Sequence, residues 1–259
     1  MNDKKKQEKE DFALRFVLVF RLDKPEIPIE YRKSVLSFIK AALNRCDNGK
    51  YFEKYYKDTI HKNFTWFTIL KEPRFTKENI ILSSTQLKIV FSVENNNKSG
   101  YILFMALNSM KNSKFPLKNN NFMTLENIQK KSQSTIFSEK CIFKTCIGSP
   151  CIIREHNKEL NKDYYYSIKD KDFNKILTDS LRRQALREGF SEEESESISA
   201  KMINGKKTVV KHYDQYIDAN IGLIEIEAKN YILQHFYEVG ICSRRSAGFG
   251  AIELISEKE

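Results

Sequence analysis

The chain has 259 residues, 41% of them hydrophobic and 30% charged, which is enough to bury one large core or two smaller ones and excludes a disordered chain. Lysine and arginine number 44 against 34 aspartates and glutamates. The resulting net charge of +10 favours a polyanionic partner, because neutralising phosphates releases condensed counterions. A generally basic, lysine-rich proteome would give the same surplus.

No apolar run approaches the roughly 20 residues of a membrane span. The charged residues 1–10 are expected to form a frayed tail, unlike a signal peptide. We therefore expect a cytoplasmic protein with no membrane partner. The five cysteines are odd in number and lack metal-site or redox spacing. Cys141, Cys146 and Cys151 lie in an apolar, strand-like stretch. We expect buried free thiols in a reducing compartment, no bound metal and no cofactor.

The first half of the chain alternates between strand and helix patterns. Apolar periodicity predicts a strand over 12–22, a helix over 29–45, a short helix over 50–58, strands over 64–72, 79–84 and 86–94, and a helix over 101–110. Another strand within 114–130 would complete a βαββαβ ferredoxin-like unit.

The second half repeats this order less clearly. It is predicted to contain a strand, a bend and a strand over 141–155, a helix over 172–190, strands over 208–213 and 221–228, a helix over 230–239 and a last strand over 249–255. The acidic residues 191–197 are predicted to be a solvated loop or helix end. The sequence thus predicts an α+β fold of tandem ferredoxin-like domains, over 11–130 and 131–259.

The most specific feature is the loop over 240–250, GICSRRSAGFG, which holds three of the nine glycines. Glycine lets a phosphate approach the main chain, whose N–H groups can bind the anion. Because this loop follows a helix, the helix dipole would repel phosphate, and Arg244 and Arg245 must supply the positive field. A tight helix-to-strand turn with solvated arginines explains the pattern equally well.

This loop resembles the C-terminal signature of the Cas-six family of CRISPR repeat-RNA endoribonucleases, in the RAMP superfamily. Residues 31–40 resemble the first helix of that family, and 62–67 its second strand with a basic residue just ahead. Ser149-Pro150, followed by an apolar strand and Arg154, resembles the entry to its second domain. Cys242 departs from the pattern, because the family usually has a glycine there, and a side chain could restrict the loop.

The resemblance implies metal-independent cleavage within a CRISPR repeat RNA. The ribose 2′-hydroxyl attacks the adjacent phosphorus and expels the 5′-oxygen, leaving a 2′,3′-cyclic phosphate and a 5′-hydroxyl. This chemistry needs a base, an acid and positive charge near the phosphate. In-line alignment by itself also lowers the barrier.

The resemblance places the catalytic groups ahead of the second strand. Lys62 matches the charge-stabilising lysine of the family. His61 is the best placed of the four histidines, although the family's histidine usually falls several residues earlier, where this chain has Tyr55 and Tyr56. Three alternatives remain open: His61 transfers protons, a tyrosine does, or positioning dominates. His61 is equally well explained as a solvated loop residue. His156, His212 and His235 are predicted to be surface or structural histidines.

Basic residues and the glycine loop are expected to bind the RNA as a single strand or small hairpin. The candidate RNA-binding residues are Gly240, Ser243, Arg244, Arg245, Ser246, Gly248, Gly250, Arg154, Arg32 and Lys40. Other CRISPR effector subunits and a second copy of the chain are further candidate partners. The alternatives are a non-catalytic RNA-binding subunit on the same fold, and an unrelated ferredoxin-like protein that binds other RNA or acts as a basic scaffold.

Overall fold

A computed structural model describes residues 14–56, 62–94 and 99–258 of the chain. Its first half is an α+β unit around a five-stranded antiparallel sheet in the order β3-β6-β1-β8-β7. The elements are β1 (Leu14–Leu22), β2 (Glu26–Pro28), α1 (Tyr31–Arg45), α2 (Lys50–Tyr56), β3 (Phe64–Ile69), β4 (Arg74–Phe75), β5 (Asn79–Ile81), β6 (Gln86–Val93), α3 (Ser99–Asn108), β7 (Lys114–Pro116) and β8 (Phe122–Lys131). Strands β2, β5 and β4 form a small separate sheet.

The core of this unit lies between the sheet and its helices. Helix α1 buries Val35, Phe38 and Leu43, which recur at three- to five-residue steps and so face the sheet together. On the sheet, Phe16 of β1 pairs with Phe91 of β6, and their rings stack with centroids 5.6 Å apart. The predicted helices and strands of this half are confirmed wherever they fall in the described residues.

The second half forms a four-stranded antiparallel sheet in the order β12-β13-β9-β14, which repeats the strand order of a ferredoxin-like unit. Its elements are β9 (Lys140–Thr145), β10 (Ile153–Asn157), β11 (Lys162–Tyr166), α4 (Phe173–Arg187), α5 (Glu192–Glu196), β12 (Ser199–His212), β13 (Gln215–Glu227), α6 (Asn230–Val239) and β14 (Ile252–Lys258). Strands β10 and β11 form a separate hairpin. The predicted tandem ferredoxin-like fold is confirmed.

Four predicted elements of this half differ in the structure. The strands predicted over 208–213 and 221–228 are the ends of the long hairpin β12–β13. The acidic stretch contains the short helix α5, because Ser191 and Glu194 form a reciprocal capping box. The last strand starts at Ile252 rather than at 249, because Gly250 has a φ of +68° and turns the chain before the strand begins.

The two units pack against each other along β3 and β6 of the first. Phe67, Val90, Cys146 and Ala251 form a small apolar core between them. The buried Arg15 side chain of β1 crosses the same boundary and donates a hydrogen bond to Glu253 at 3.1 Å. The predicted division of the chain after residue 130 stays a prediction; β8 ends one residue later. No helix among the described residues combines the length and apolar character needed to cross a bilayer.

Candidate functional site

The glycine-rich loop between α6 and β14 packs against β3 of the first unit. Trp66 Nε1 donates a hydrogen bond to the Ser246 carbonyl at 2.9 Å, and Thr65 Oγ1 donates to the Phe249 carbonyl at 3.1 Å. Both β3 residues are buried. Since Lys62 precedes β3 by two residues, this docking brings the predicted catalytic segment and the predicted RNA-binding loop together.

The glycines of the loop are required by its internal packing. Gly240, Gly248 and Gly250 all have positive φ, at +79°, +83° and +68°. A Cβ on Gly248 would lie 2.7 Å from the indole ring of Trp66, and one on Gly250 would lie 2.0 Å from the carbonyl oxygen of Ile241. The glycines therefore serve a tight, buried turn, as the second of the two sequence interpretations has it.

Most main-chain N–H groups of the loop already have partners inside the protein. Hydrogen bonds of 2.8–3.0 Å run from Ile241 to Gly250 O, from Cys242 to Gln184 Oε1, from Ser243 to Ile152 O and from Gly250 to Pro150 O. These four amides are not available to a phosphate. Positive charge beside the loop must come from side chains.

The two arginines of the loop have different environments. The Arg245 side chain is 2% exposed and pairs with the buried carboxylate of Glu188, so it holds the loop in place. The Arg244 side chain is 28% exposed. Its guanidinium donates to the Tyr165 hydroxyl at 2.8 Å and approaches Asp163 at 3.3 Å. Only Arg244 extends appreciably to the surface.

Beside the loop lies a cavity of about 310 Å³, called the basic pocket here. It is lined by Lys62, Arg154, Arg187, Cys242, Ser243, Arg244, Arg245 and Ser246. Five of these eight residues are cationic and none is acidic. A pocket of this composition favours a phosphate-sized anion, because five cationic side chains line a small volume. Lys62 comes from the first unit and the other seven residues from the second.

Asp163 on β11 holds two of the pocket arginines. Its carboxylate contacts Arg154 at 3.0 Å and Arg244 at 3.3 Å, and it pairs with His156 at 2.8 Å. Burial would raise the pKa of Asp163, but hydrogen bonds from His156 and Tyr165 and the Arg154 charge lower it overall. The ionised carboxylate thus fixes both guanidinium groups at the edge of the basic pocket.

Tyr56 and two lysines form a cluster next to the pocket. The ammonium groups of Lys62 and Lys40 lie 4.8 and 5.0 Å from the centroid of the Tyr56 ring. The Tyr56 hydroxyl is buried, and within the described parts of the chain it has no hydrogen-bond partner. Burial, helped by Tyr213 and Tyr55, raises the pKa of Tyr56 to about 12. At neutral pH this hydroxyl keeps its proton and can donate it.

The pKa of Lys62 is lowered, first by burial and then by the charge of Lys40. The Lys62 ammonium lies against the Tyr56 ring, and the same side chain lines the basic pocket. This arrangement joins two of the predicted catalytic residues, Lys62 and Tyr56, to the predicted RNA-binding residues Arg154 and Arg244. His61 lies outside the described residues.

Two predicted site residues lie in the interior. Tyr55 is 7% exposed and packs in the first core, and its hydroxyl donates to Ser99 O at 3.4 Å. Burial raises the pKa of Tyr55 to about 12. Arg32 is 5% exposed, donates to Gly148 O at 2.5 Å and lies 4.4 Å from the Phe249 ring centroid. Tyr55 and Arg32 are therefore buried packing residues and do not line the basic pocket.

His235 joins the two units behind the loop. It is 7% exposed and lies between Glu94 of the first unit, at 3.2 Å, and Glu188 of the second. Burial alone would lower the pKa of His235, but hydrogen bonds with Glu188 and Glu94 raise it to about 9. Glu94 also accepts from Asn63, the neighbour of Lys62, at 2.6 Å. The imidazolium therefore connects the Lys62 segment to the Glu188–Arg245 pair. The prediction of a satisfied structural histidine is confirmed.

The other described histidines do not line the basic pocket. His212 is 4% exposed, and burial, then Arg244 and Arg32, lower its pKa to about 4. It lies edge-on to the Phe249 ring, with centroids 5.2 Å apart. His156 is exposed and pairs with Asp163. Among the described residues, no group of three or more His, Cys, Asp or Glu side chains is placed to hold a metal ion.

The sequence analysis did not identify several residues that line the basic pocket or hold its arginines. Arg187 is not among the candidate residues from the sequence, yet it lines the pocket. Asp163 and Tyr165, which orient Arg244, lie on a hairpin strand whose pairing no local pattern identifies. Glu188, at the end of α4, is 57 residues away from the arginine it binds.

Two ferredoxin-like units, with a glycine-rich loop of the second packed against β3 of the first, have the architecture of a RAMP-type protein. Residues 126–254 match the family model described as "CRISPR associated protein Cas6, C-terminal". The chain belongs to the Cas6 family. No curated protein matches it in sequence.

Solved structures are similar over nearly the whole chain. A structure titled as a Cas6-related gene from Pyrococcus furiosus has a TM-score of 0.77 at 19% identity, covering 95% of this chain and 100% of that one. A RAMP protein described as binding different RNA substrates has a TM-score of 0.76 at 18% identity, covering 94% and 100%. A Cas6 product complex has a TM-score of 0.68 at 14% identity, covering 94% and 100%. At these identities the likeness shows the fold.

Proposed function

We propose that this protein binds the repeat RNA of a CRISPR transcript and cuts it without a metal ion. The 2′-hydroxyl of the nucleotide before the cut attacks the adjacent phosphorus. The bond from phosphorus to the 5′-oxygen breaks, giving a 2′,3′-cyclic phosphate and a 5′-hydroxyl. Membership of the Cas6 family and the similarity to a Cas6 product complex support this reaction class.

The observation that carries the proposal is the basic pocket and its neighbour Tyr56. Lys62 of the first unit and Arg154, Arg187 and Arg244 of the second surround one cavity whose described lining contains no carboxylate. Attack on a phosphodiester concentrates negative charge on the equatorial oxygens of the phosphorane. Preorganised cations in a partly buried site stabilise that charge more than they stabilise the ground state.

The candidate catalytic residues have different roles in the proton transfers. Because its pKa is raised, Tyr56 is protonated at neutral pH, so it cannot serve as the base but has a proton to donate to the departing 5′-oxygen. Lys62, beside that ring, is suited to stabilising the phosphate charge. The proton of the 2′-hydroxyl passes to His61 or to water. In the second case alignment of the 2′-oxygen, phosphorus and 5′-oxygen supplies most of the acceleration.

The test uses the full chain and its own repeat RNA in excess EDTA. We expect a single cut with a 2′,3′-cyclic phosphate end. A matched RNA with 2′-deoxyribose at the scissile nucleotide should bind equally well and stay intact. Cleavage of the deoxy substrate at the same rate would rule out 2′-hydroxyl attack, and cleavage only after Mg²⁺ addition would rule out the metal-independent mechanism.

A non-catalytic RNA-binding subunit is the second candidate. The observation that favours it is the position of the three described histidines, none of which lines the basic pocket. The same assay separates the two functions, because a binding subunit would retain the RNA with a salt-dependent affinity and leave it uncut.

A further inference from the structure

The glycine-rich loop contains a cysteine in a backbone conformation that favours glycine. Cys242 has a φ of +66°, in the left-handed region that side chains with a Cβ rarely adopt. Such a conformation is retained only when its surroundings hold it in place. Here the Cys242 sulfur lies 2.7 Å from the sulfur of Cys151, and the two residues are 4% and 0% exposed.

Main-chain hydrogen bonds hold the two cysteines side by side. Ser243 N, next to Cys242, donates to the carbonyl of Ile152, next to Cys151, at 2.8 Å. Cys151 itself exchanges hydrogen bonds of 2.8 and 2.9 Å with Asn220. Cys242 N donates to the fully buried Gln184. The segments are thus adjacent and fixed, which is the condition for joining two sulfurs without moving the backbone.

We propose that Cys151 and Cys242 form a reversible disulfide that ties the glycine-rich loop to the segment before β10. This assignment goes beyond the proposed function and does not depend on it. The oxidant is a low-molecular-weight disulfide, such as glutathione disulfide. One cysteine attacks it, forming a mixed disulfide and releasing one thiol. The other cysteine then attacks the mixed disulfide and releases the second thiol. Overall, two cysteine thiols and one disulfide give one protein disulfide and two small thiols.

The surroundings determine which sulfur reacts first. Cys242 lines the basic pocket, whose cations would attract an anionic disulfide, whereas Cys151 has no exposed surface. Contact with Cys242, together with burial, raises the pKa of Cys151, which makes it the poorer initial nucleophile. Cys242 is therefore the residue that first takes up the oxidant, and Cys151 completes the bond.

The disulfide would close a loop between residues separated by 91 positions. It would restrict the turn that carries Ser243 and Arg244, two of the side chains facing the basic pocket. Because the cross-link also constrains the unfolded chain, oxidation should raise the melting temperature by roughly 5–10 °C. Reduction with dithiothreitol should reverse the change.

The direct experiment counts thiols in the full chain after treatment with glutathione disulfide. The protein is denatured, alkylated and weighed without reduction. Of five cysteines, two should be lost, leaving three alkylated. Peptide mapping should find Cys151 joined to Cys242. C146A provides a matched control, because Cys146 is also buried, and it should still lose two thiols. C242A and C151A should each keep every thiol they have.

The wild-type measurement needs no variant to fold, so it decides the proposal by itself. Five alkylated cysteines after prolonged oxidation, including under mild denaturant that opens the loop, would overturn it. So would a map in which Cys242 is joined to another cysteine or to a second chain. An internal Cys151–Cys242 bond with an unchanged melting temperature would overturn the claim that it restrains the loop.

Discussion

The main chain of Gly248 lies so close to the indole of Trp66 that a Cβ on the glycine would stand 2.7 Å from the ring. Trp66 is 1% exposed and donates to the Ser246 carbonyl two residues earlier in the loop. One aromatic side chain of β3 thus fixes the turn that carries Arg244 and Arg245. The geometry of the basic pocket depends on this contact between the two units.

Gly248→Ala should destabilise the fold and loosen the pocket. The added methyl group meets the Trp66 ring, and the residue must also keep a φ of +83°. Together these effects should lower the free energy of unfolding by about 2–5 kcal/mol. Urea denaturation, followed by the fluorescence of Trp66, which is the only tryptophan in the sequence, measures this loss of stability.

Gly189→Ala is the matched control for this substitution. Gly189 has a similar φ of +94°, but nothing lies within 4 Å of its Cβ position. It should lose only the conformational part, about 1–2 kcal/mol. If both variants lost the same free energy of unfolding, the contact between the added methyl group and Trp66 would not be destabilising.

Tyr56→Phe tests the proposed acid. The substitution removes only the hydroxyl and keeps the ring on which Lys40 and Lys62 lie. If Tyr56 protonates the leaving oxygen, the single-turnover cleavage rate should fall by roughly 10²–10⁴ while the Kd for repeat RNA stays unchanged. Tyr55→Phe, with its hydroxyl in the interior, should cut at the wild-type rate. If both variants cut normally, the assignment moves to His61.

Single substitutions should distinguish the roles of the two loop arginines, Arg244 and Arg245. Arg244→Ala removes an accessible cation and should weaken RNA binding, with the slope of log affinity against log salt concentration reduced by about 0.7. Arg245→Ala removes a buried partner of Glu188 and should instead lower the free energy of unfolding by about 3–5 kcal/mol. Filter binding over a salt series and urea denaturation measure the two effects.

Arg183→Ala is the control for charge alone. Arg183 is an exposed arginine of α4 that does not line the basic pocket. The substitution Arg183→Ala should leave both the slope of log affinity against log salt concentration and the free energy of unfolding near the wild-type values. A slope change as large as that of Arg244→Ala would show that the RNA responds to overall charge and not to the pocket.

The elements of the fold were predictable because their signals are local. Helices α1, α4 and α6 show apolar residues at three- and four-residue steps, and the central strands are apolar runs. The start of β12 was missed because lysines and Gly205 interrupt its alternation. That glycine lies where a Cβ would meet Met202 Sδ at 2.1 Å, next to the register shift between Met202 and Asn204, which the sequence pattern does not reveal.

The site was predictable only in part, because a charged residue does not reveal its partner. Lys62 and Arg244 were expected at the site and line one pocket. Arg245 has the same local sequence environment as Arg244, yet it is buried against Glu188. Arg32 looked like a surface cation but lies against Phe249. Each burial depends on tertiary contacts between residues that are far apart in sequence, which the sequence pattern does not contain.

His235 should make the stability of the protein depend on pH. Its pKa rises from 6.5 to about 9 on folding, because Glu94 and Glu188 stabilise the imidazolium against the effect of burial. A raised pKa stabilises the fold fully below pH 6.5, and this contribution is lost as the pH rises through 9. His235→Gln should therefore lower the free energy of unfolding by about 2–3 kcal/mol at pH 6 and by progressively less towards pH 10. Urea denaturation of both proteins at four pH values between 6 and 10 gives the difference directly. A difference that stays constant over this range would show that His235 acts through packing and not through its charge.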